Sequence, residues 1–93
     1  MRTIERSAQF KRDYRRERAG PRRWTLDEDF SAVVVLLAHD EQLPVRYVDH
    51  ALGGNLRGLR DCHVYPDLVL LYEKPESTTL RLIRLGSHSE LGL

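Results

Sequence analysis

Three histidines and two aspartates in the second half of the chain have the residue types and the spacing that acid–base chemistry needs. Asp61 and His63 lie two positions apart in a predicted strand, and side chains with that spacing share a face. Asp67 follows the turn that ends this strand, so a hairpin would bring it close to His63. His50 precedes the hairpin, and His88 follows the last predicted strand. Imidazoles from three segments of the chain therefore flank one small predicted sheet.

Such a set of groups could cleave RNA without a metal ion. A base removes the proton of the 2′-OH, an acid protonates the departing 5′-oxygen, and a cation stabilises the charged phosphorane. Histidine suits both proton transfers because its unperturbed pKa is about 6.5. Asp61 or Asp67 could orient an imidazole. The sequence leaves open which imidazole is the base.

Two arginines beside these histidines are candidate phosphate contacts. They are Arg60 and Arg84, each within a predicted strand. Strand alternation sends Arg60 away from His63 unless a bulge re-aims it. The position of Arg84 does not follow from the sequence.

The first half of the chain predicts a strand and a helix hairpin. A short strand at residues 3–5 precedes a helix from Ala8 to about Arg18, with Ser7 as its N-cap. A second helix begins after Thr25, which has the capping-box spacing with Glu28. Its apolar residues recur at helical spacing and should supply much of the core; they are Leu26, Phe30, Val33, Val34 and Leu37.

The second half predicts a long connection followed by three strands. The connection runs from residue 40 to 55, and the strands lie near residues 56–64, 67–74 and 79–85. The middle strand is apolar on both faces and should be central. Residues 87–91 form either one helical turn or an irregular tail. The order β-α-α-β-β-β predicts a single small α+β domain over residues 1–93, with the helix pair on one face of an antiparallel sheet and the other face open to a ligand.

Composition excludes several classes of protein. Ninety-three residues, 41% hydrophobic and 31% charged, indicate one soluble domain. No apolar run approaches the roughly 20 residues of a membrane helix, and the N-terminus lacks the apolar stretch of a signal peptide. We therefore expect a cytoplasmic protein with no membrane contact. Cys62 is the only cysteine, which excludes an internal disulfide, and we expect it to be a buried structural thiol.

Basic charge is concentrated at the N-terminal end. Residues 1–23 contain nine basic and three acidic side chains, whereas residues 24–93 contain six and eleven. Such a cluster either contacts a phosphate backbone or is a solvated helix face that keeps the protein soluble. If the cluster contacts a phosphate backbone, Lys11 and Arg15 are the candidate contacts on the first helix.

Three motifs in the second half resemble the YafQ-type toxins of the RelE superfamily. Residues 49–54, Asp-His-Ala-Leu-Gly-Gly, resemble a D-H-x-L-x-G element. Residues 58–67 match G-x-R-D-x-H-x-x-P-D, and residues 86–91 match G-[ST]-H-x-x-L. The agreement extends to the order and spacing of all three motifs, and the resemblance implies a RelE-like fold.

The resemblance also implies a function. It is that of an mRNA interferase, a ribosome-dependent endoribonuclease that cuts translated mRNA without a cofactor. The implied partners are the ribosome, the mRNA and a cognate antitoxin, in a type II toxin–antitoxin hetero-oligomer that binds operator DNA through the antitoxin. His50, His63, Asp67 and His88 match the family's functional positions, and Asp61 matches a supporting acid.

Two positions depart from the family pattern. Leu68 stands where relatives in the family carry a tryptophan, and Gly92 stands where an aromatic residue ends the family's last motif. We therefore expect base stacking to be weaker than in close relatives, or to be supplied by Tyr65 or by rRNA bases.

Two other functions remain open. One is a noncatalytic module that keeps only the antitoxin-binding or nucleic-acid-binding surface. The other is a metal site made by the same histidines and Asp67, although the chain has no close ligand pair of the form H-x₃-H.

Overall fold

A five-stranded sheet organises the computed structural model, which describes residues 1–93. The strands are β1 (Thr3–Arg6), β2 (His50–Ala51), β3 (Arg60–Tyr65), β4 (Leu68–Glu76) and β5 (Thr79–Gly86). The helices are α1 (Ala8–Arg18), α2 (Leu26–Ala38) and a short C-terminal α3 (His88–Leu91). The spatial order of the strands is β1-β5-β4-β3-β2. No helix is long and apolar enough to cross a membrane.

The α+β class and the central position of β4 are confirmed, but the sheet differs from the prediction at one edge. Strands β2 to β5 pair antiparallel, whereas β1 pairs parallel with β5. Short turns force the strands they join to run antiparallel. No such turn joins β1 to its neighbour, because both long helices intervene, and the sequence pattern therefore did not determine its direction.

The N-terminal ends of the two long helices are stabilised in different ways. In α1 the predicted cap is confirmed, since Ser7 Oγ accepts a hydrogen bond from the Phe10 N–H at 2.9 Å. The capping box predicted for α2 is wrong, because the Thr25 side chain forms no capping hydrogen bond. Three acidic side chains in the first turn of α2, at residues 27–29, instead complement the positive end of the helix dipole.

The core lies between the helices and one face of the sheet. Phe10 of α1 and the whole predicted apolar stripe of α2 are buried. They pack with Cys62 and Val64 of β3 and with leucines of β4 and β5. Each fully buried leucine contributes about 1.5–3 kcal/mol through removal of apolar surface from water. Asp61 and His63 do not belong to this cluster, because strand alternation turns them to the opposite face of β3.

The start of β3 explains how the long connection reaches the sheet. The strand begins at Arg60 rather than near residue 56, because Gly58 has a φ of 95° and interrupts the extended chain. A 3-10 turn at Gly54–Leu56 precedes it. The two-residue strand β2 lies inside the connection and places His50 opposite Asp61.

Candidate active site

His50 lies against two hydrogen-bond acceptors. Its Nδ1 atom is 3.0 Å from Oδ1 of Asp61 and 2.9 Å from the carbonyl oxygen of Val48. Because neither neighbour can donate a hydrogen, Nδ1 carries the proton when the ring is neutral. The basic nitrogen is then Nε2, on an exposed side chain. This geometry leaves Nε2 as the nitrogen that can accept a proton.

Asp61 is a buried carboxylate with few polar contacts to offset the cost of burying its charge. Its residue is 1% exposed, and Oδ1 accepts no hydrogen bond of good geometry. A buried charge without a partner is costly in free energy. The nearest group that can carry a positive charge is the imidazole of His50.

Backbone strain at Val48 supports the same arrangement. Its φ and ψ are 49° and 45°, in the left-handed region that a β-branched side chain rarely adopts. This conformation costs on the order of 1–2 kcal/mol. It directs the Val48 carbonyl at His50, which is consistent with strain retained for function.

A polar cluster holds the segment that precedes His50. Asp49 accepts hydrogen bonds from Arg60, at 3.1 Å from Nη2, and from the hydroxyl of Tyr72 at 2.5 Å. Burial and the hydrogen bond to Asp49 raise the pKa of the Tyr72 hydroxyl. Arg60, a predicted phosphate contact, therefore contacts Asp49 on the side of β3 away from His63. Sequence reasoning gave Asp49 no role, although it opens the first family motif.

His63 and His88 contact each other. Their ring centroids are 4.9 Å apart, with 71° between the ring planes. Nδ1 of His63 lies 3.3 Å from the carbonyl oxygen of Pro66, which leaves Nε2 as the other available nitrogen. Same-face residues two apart in a strand are roughly 7 Å from each other, so His63 and Asp61 lie about that far apart on one face of β3.

His88 is the first residue of the short helix α3, whose N-terminus is stabilised by a capping box. Ser87 Oγ accepts a hydrogen bond from the Glu90 N–H at 3.1 Å, and Glu90 Oε1 accepts one from the Ser87 N–H at 2.8 Å. This capping box had a visible signal in the S-x-x-E spacing of residues 87–90, and it favours a helical turn over an irregular tail. The hydrogen bond from the Ser87 backbone lowers the pKa of the Glu90 carboxyl.

Arg16 of α1 ties α3 to the end of β5. Its Nη2 donates to the Leu85 carbonyl at 3.0 Å and lies 3.8 Å from Glu90 Oε2. A Cβ atom on Gly86 would stand 3.1 Å from Glu90 Oε1 and 3.3 Å from Arg16 Nη2. Glycine at this position therefore lets both side chains approach the backbone beside His88.

Asp67 has a different partner from the one predicted. Its Oδ1 accepts a hydrogen bond from Arg22 Nη2 at 2.5 Å, in an exposed ion pair. No hydrogen bond joins it to His63, which contacts the preceding carbonyl of Pro66 instead. The structure thus brings together His50, Asp61, His63 and His88, and it pairs Asp67 with the connection between α1 and α2.

Arg84 is also engaged within the protein. Its Nε donates to Oδ2 of Asp13 at 2.7 Å, and the Leu85 N–H donates to the same oxygen at 3.0 Å. Burial raises the pKa of the Asp13 carboxyl, but hydrogen bonds from Arg84 and Leu85 outweigh it, and the pKa lies below its ordinary value. This buried acid was missed because it stands among basic residues on an apparently solvated helix. Lys11 and Arg15 are exposed on the same helix.

A surface pocket lies beside His63. Its volume is about 430 Å³, and its walls include Tyr65, Tyr47 and Arg46. The Tyr65 hydroxyl donates to Asp29 of α2 at 2.5 Å, which fixes the ring. An aromatic and cationic wall next to an imidazole suits a nucleobase with its phosphate.

The remaining candidates for chemistry are a thiol and a metal. Cys62 is fully buried, and burial raises the pKa of its thiol, in agreement with the structural role predicted for it. No three histidine, cysteine, aspartate or glutamate side chains are grouped closely enough to hold a metal ion.

Comparison with known proteins identifies the family. A family described as "Bacterial toxin of type II toxin-antitoxin system, YafQ" matches residues 2–92. The mRNA interferase toxin YafQ of Escherichia coli K12 is 34% identical over 91 residues, which cover 98% of this chain and 96% of that protein.

Solved structures agree with this match. The crystal structure of the E. coli DinJ–YafQ complex contains a chain that is 34% identical, with a TM-score of 0.82 and 98% of both chains covered. A metal-bound toxin from Helicobacter pylori is 42% identical, with a TM-score of 0.87 over 98% of this chain and 99% of that one. The chain belongs to the YafQ family of type II toxin–antitoxin toxins.

Proposed function

We propose that this protein is a ribosome-dependent endoribonuclease that cuts translated mRNA by acid–base catalysis through its own side chains. Family membership supports the activity, since the E. coli relative is named an mRNA interferase. The observation that carries the mechanism is the convergence of His50, His63 and His88, from three segments of the chain, on one face of β3 beside the buried Asp61.

In this proposal His50 is the base. Its Nε2 takes the proton of the 2′-OH, because Nδ1 already donates to the carbonyl oxygen of Val48. The 2′-oxygen then bonds to the adjacent phosphorus. Asp61 stabilises the imidazolium formed, as a carboxylate does for the histidine of a hydrolase triad.

The His63–His88 pair supplies the second proton carrier. The bond from phosphorus to the 5′-oxygen breaks as a protonated imidazole of this pair gives its proton to that oxygen. The same positive charge stabilises the phosphorane between the two histidine sites. The products are a 2′,3′-cyclic phosphate and a free 5′-OH, with no water consumed in the step.

The proposed partners follow from charge and from the relatives. Exposed cations on α1, including Lys11 and Arg15, would contact RNA phosphates, and ribosome binding should then weaken with salt. The E. coli relative was crystallised with the antitoxin DinJ. We expect a cognate antitoxin here too, in a cytoplasmic hetero-oligomer that binds operator DNA through the antitoxin.

Controlled expression in a bacterium tests the activity. We expect growth arrest and cut mRNA from the wild-type protein, and rescue by the protein encoded in the adjacent reading frame. A His50→Gln variant serves as the inactive control, since the replaced side chain is exposed. Normal growth and intact mRNA, with the wild-type protein verified as soluble, would contradict the proposal and favour a noncatalytic binding module.

The cut ends separate this mechanism from metal-assisted hydrolysis. A metal-activated water normally leaves a linear terminal phosphate rather than a cyclic one. Zinc should be measured in the purified protein and removed with a zinc-selective chelator before intact ribosomes are added in magnesium. Stoichiometric zinc whose removal abolishes cutting, together with linear ends, would replace the histidine mechanism with the metal site.

A further inference from the structure

Trp24 is the only tryptophan of the chain, and it is 85% exposed. Tryptophan is highly buried on average, because its indole has the largest apolar surface of any side chain. Here it contributes almost nothing to the core. It stands in the connection between α1 and α2, and nothing in the stability of the fold explains its presence there.

The residues on both sides of Trp24 contact side chains beside the candidate active site. Two positions before it, the Arg22 guanidinium lies 3.8 Å from the centroid of the Tyr65 ring and donates to Asp67. Immediately after it, Thr25 Oγ1 lies 3.2 Å from the Tyr65 hydroxyl. Trp24 is therefore held beside the turn between β3 and β4.

That turn belongs to the site through its backbone. Pro66, next to Asp67, places its carbonyl oxygen 3.3 Å from Nδ1 of His63. The contacts run without a gap from the flanks of Trp24 to a proposed proton carrier. Trp24 thus lies on a segment that contacts the same turn as His63.

The charges around Trp24 favour an anionic ligand with flat groups. The Arg23 guanidinium lies 5.3 Å from the indole centroid. Of the carboxylates in this region, Asp27 pairs with Arg18 and Asp67 with Arg22, whereas the exposed Glu28 has no ion-pair partner. An aromatic face next to an unpaired guanidinium is the combination that binds single-stranded RNA, since the base stacks and the cation meets the phosphate.

We infer that Trp24 is a stacking platform for an unpaired RNA base at the margin of the cleavage site, with Arg23 as the adjacent phosphate contact. The inference rests on the proposed ribonuclease function. The base comes from either the message or the ribosomal RNA, and both sources share this chemistry. A surface for the antitoxin is the competing interpretation of the same indole.

Cutting kinetics on programmed ribosomes give the first test. Trp24→Ala should lower kcat/KM about 5- to 100-fold, mainly through KM, because stacking contributes to binding rather than to proton transfer. Trp24→Phe should restore part of the loss, and unfolding should be unchanged because the side chain is exposed. Val35→Ala, at an exposed apolar residue of α2, is the matched control. Equal KM for Trp24→Ala and wild type would overturn the inference.

A fluorescent base distinguishes the two RNA sources. With 2-aminopurine placed near the cut codon of the mRNA, an inactive His88→Ala protein should quench its emission, whereas the double variant with Trp24→Ala should not. Quenching lost with the indole assigns the base to the message. Unchanged quenching alongside a raised KM assigns it to ribosomal RNA.

Two further outcomes separate this inference from the proposed function. If the wild-type protein does not cut at all, the proposed function fails. Co-sedimentation with ribosomes then still tests the role of Trp24. Weaker ribosome binding by Trp24→Ala would support the stacking role, and equal binding would overturn it. If Trp24→Ala cuts normally but is neutralised less well by the antitoxin, the indole faces a protein and the inference is wrong.

Discussion

The imidazole rings of His63 and His88 meet edge to face, with their centroids 4.9 Å apart. One ring belongs to β3 and the other begins α3, so the contact joins the sheet to the C-terminal end of the chain. An edge-to-face pair sets the positive edge of one ring against the negative face of the other. The contact therefore holds the two imidazoles next to each other at one end of the candidate site.

His88→Ala should separate activity from stability. The side chain is exposed at the first position of α3, so its removal should change the free energy of unfolding by less than ~1 kcal/mol. If His88 is a proton carrier, as proposed, cutting of mRNA on ribosomes should fall ~10²-fold or more. Ser89→Ala, at the next exposed position, should leave both quantities unchanged. A folded His88→Ala protein that cuts at the wild-type rate would remove His88 from the mechanism.

Asp61→Asn should lower the rate of cutting without lowering stability, unlike a substitution in the hydrophobic core. The carboxylate is buried, and its Oδ1 accepts no hydrogen bond, so removing the charge should leave the free energy of unfolding unchanged or raise it by about 1 kcal/mol. The rate of cutting should nevertheless fall about 10²-fold, since an amide cannot support a protonated His50. Urea unfolding and single-turnover cutting measure the two effects. A variant that unfolds more easily yet cuts normally would show that Asp61 is structural.

The sequence predicted most of the fold where the signal is local or periodic. The apolar stripe of α2 and the cap at Ser7 follow from helical spacing and from the chemistry of one side chain, and both are confirmed. The unbroken apolar run of residues 68–72 identified β4 as the central strand. The direction of β1 depended on a crossover that no local pattern encodes.

Side-chain partners distant in the chain were the least predictable part of the site. Arg84 was a candidate phosphate contact, but it pairs with Asp13, at the other end of the chain. Asp67 was expected near His63, but Arg22 is its partner because the connection between the helices reaches the β3–β4 turn. Such pairs are set by tertiary packing, which motif spacing does not contain.

Ser87 should act on cleavage by positioning His88. Ser87→Ala removes the hydrogen bond that caps α3, which costs about 1 kcal/mol for an N-cap serine. Because α3 is one turn long, this loss should loosen His88 and reduce cutting, but less than His88→Ala does. Ser87→Thr keeps the capping oxygen and should retain activity. The His88 ring resonances, followed by NMR, should broaden in Ser87→Ala and not in Ser87→Thr. Equal cutting rates for the wild type, Ser87→Ala and Ser87→Thr would show that the cap is dispensable.

Asp13→Asn should reveal how much the fold depends on one buried carboxylate, which pairs with Arg84 and Arg16. Asp13 is fully buried and accepts hydrogen bonds from Arg84 and the Leu85 N–H. Loss of one partner of a buried pair typically costs 3–5 kcal/mol, and because Arg84 is partly exposed we expect about 3 kcal/mol at neutral pH. Thermal or urea unfolding measures it. Asp40→Asn is the control at an exposed ion pair, where a much smaller loss is expected.

The pH dependence of this difference identifies its cause. The folded pKa of Asp13 lies below its ordinary value of 3.8, so the carboxylate stabilises the folded state at pH values above 3.8. That contribution is lost as the pH falls through the lowered folded pKa, because the proton then binds in the folded protein as well. The asparagine variant lacks this titration, so the gap in stability between the two proteins should shrink as the pH falls below 3.8. A gap of the same size at neutral and acidic pH would mean that Asp13→Asn disturbs packing and that the charge of Asp13 does not stabilise the fold.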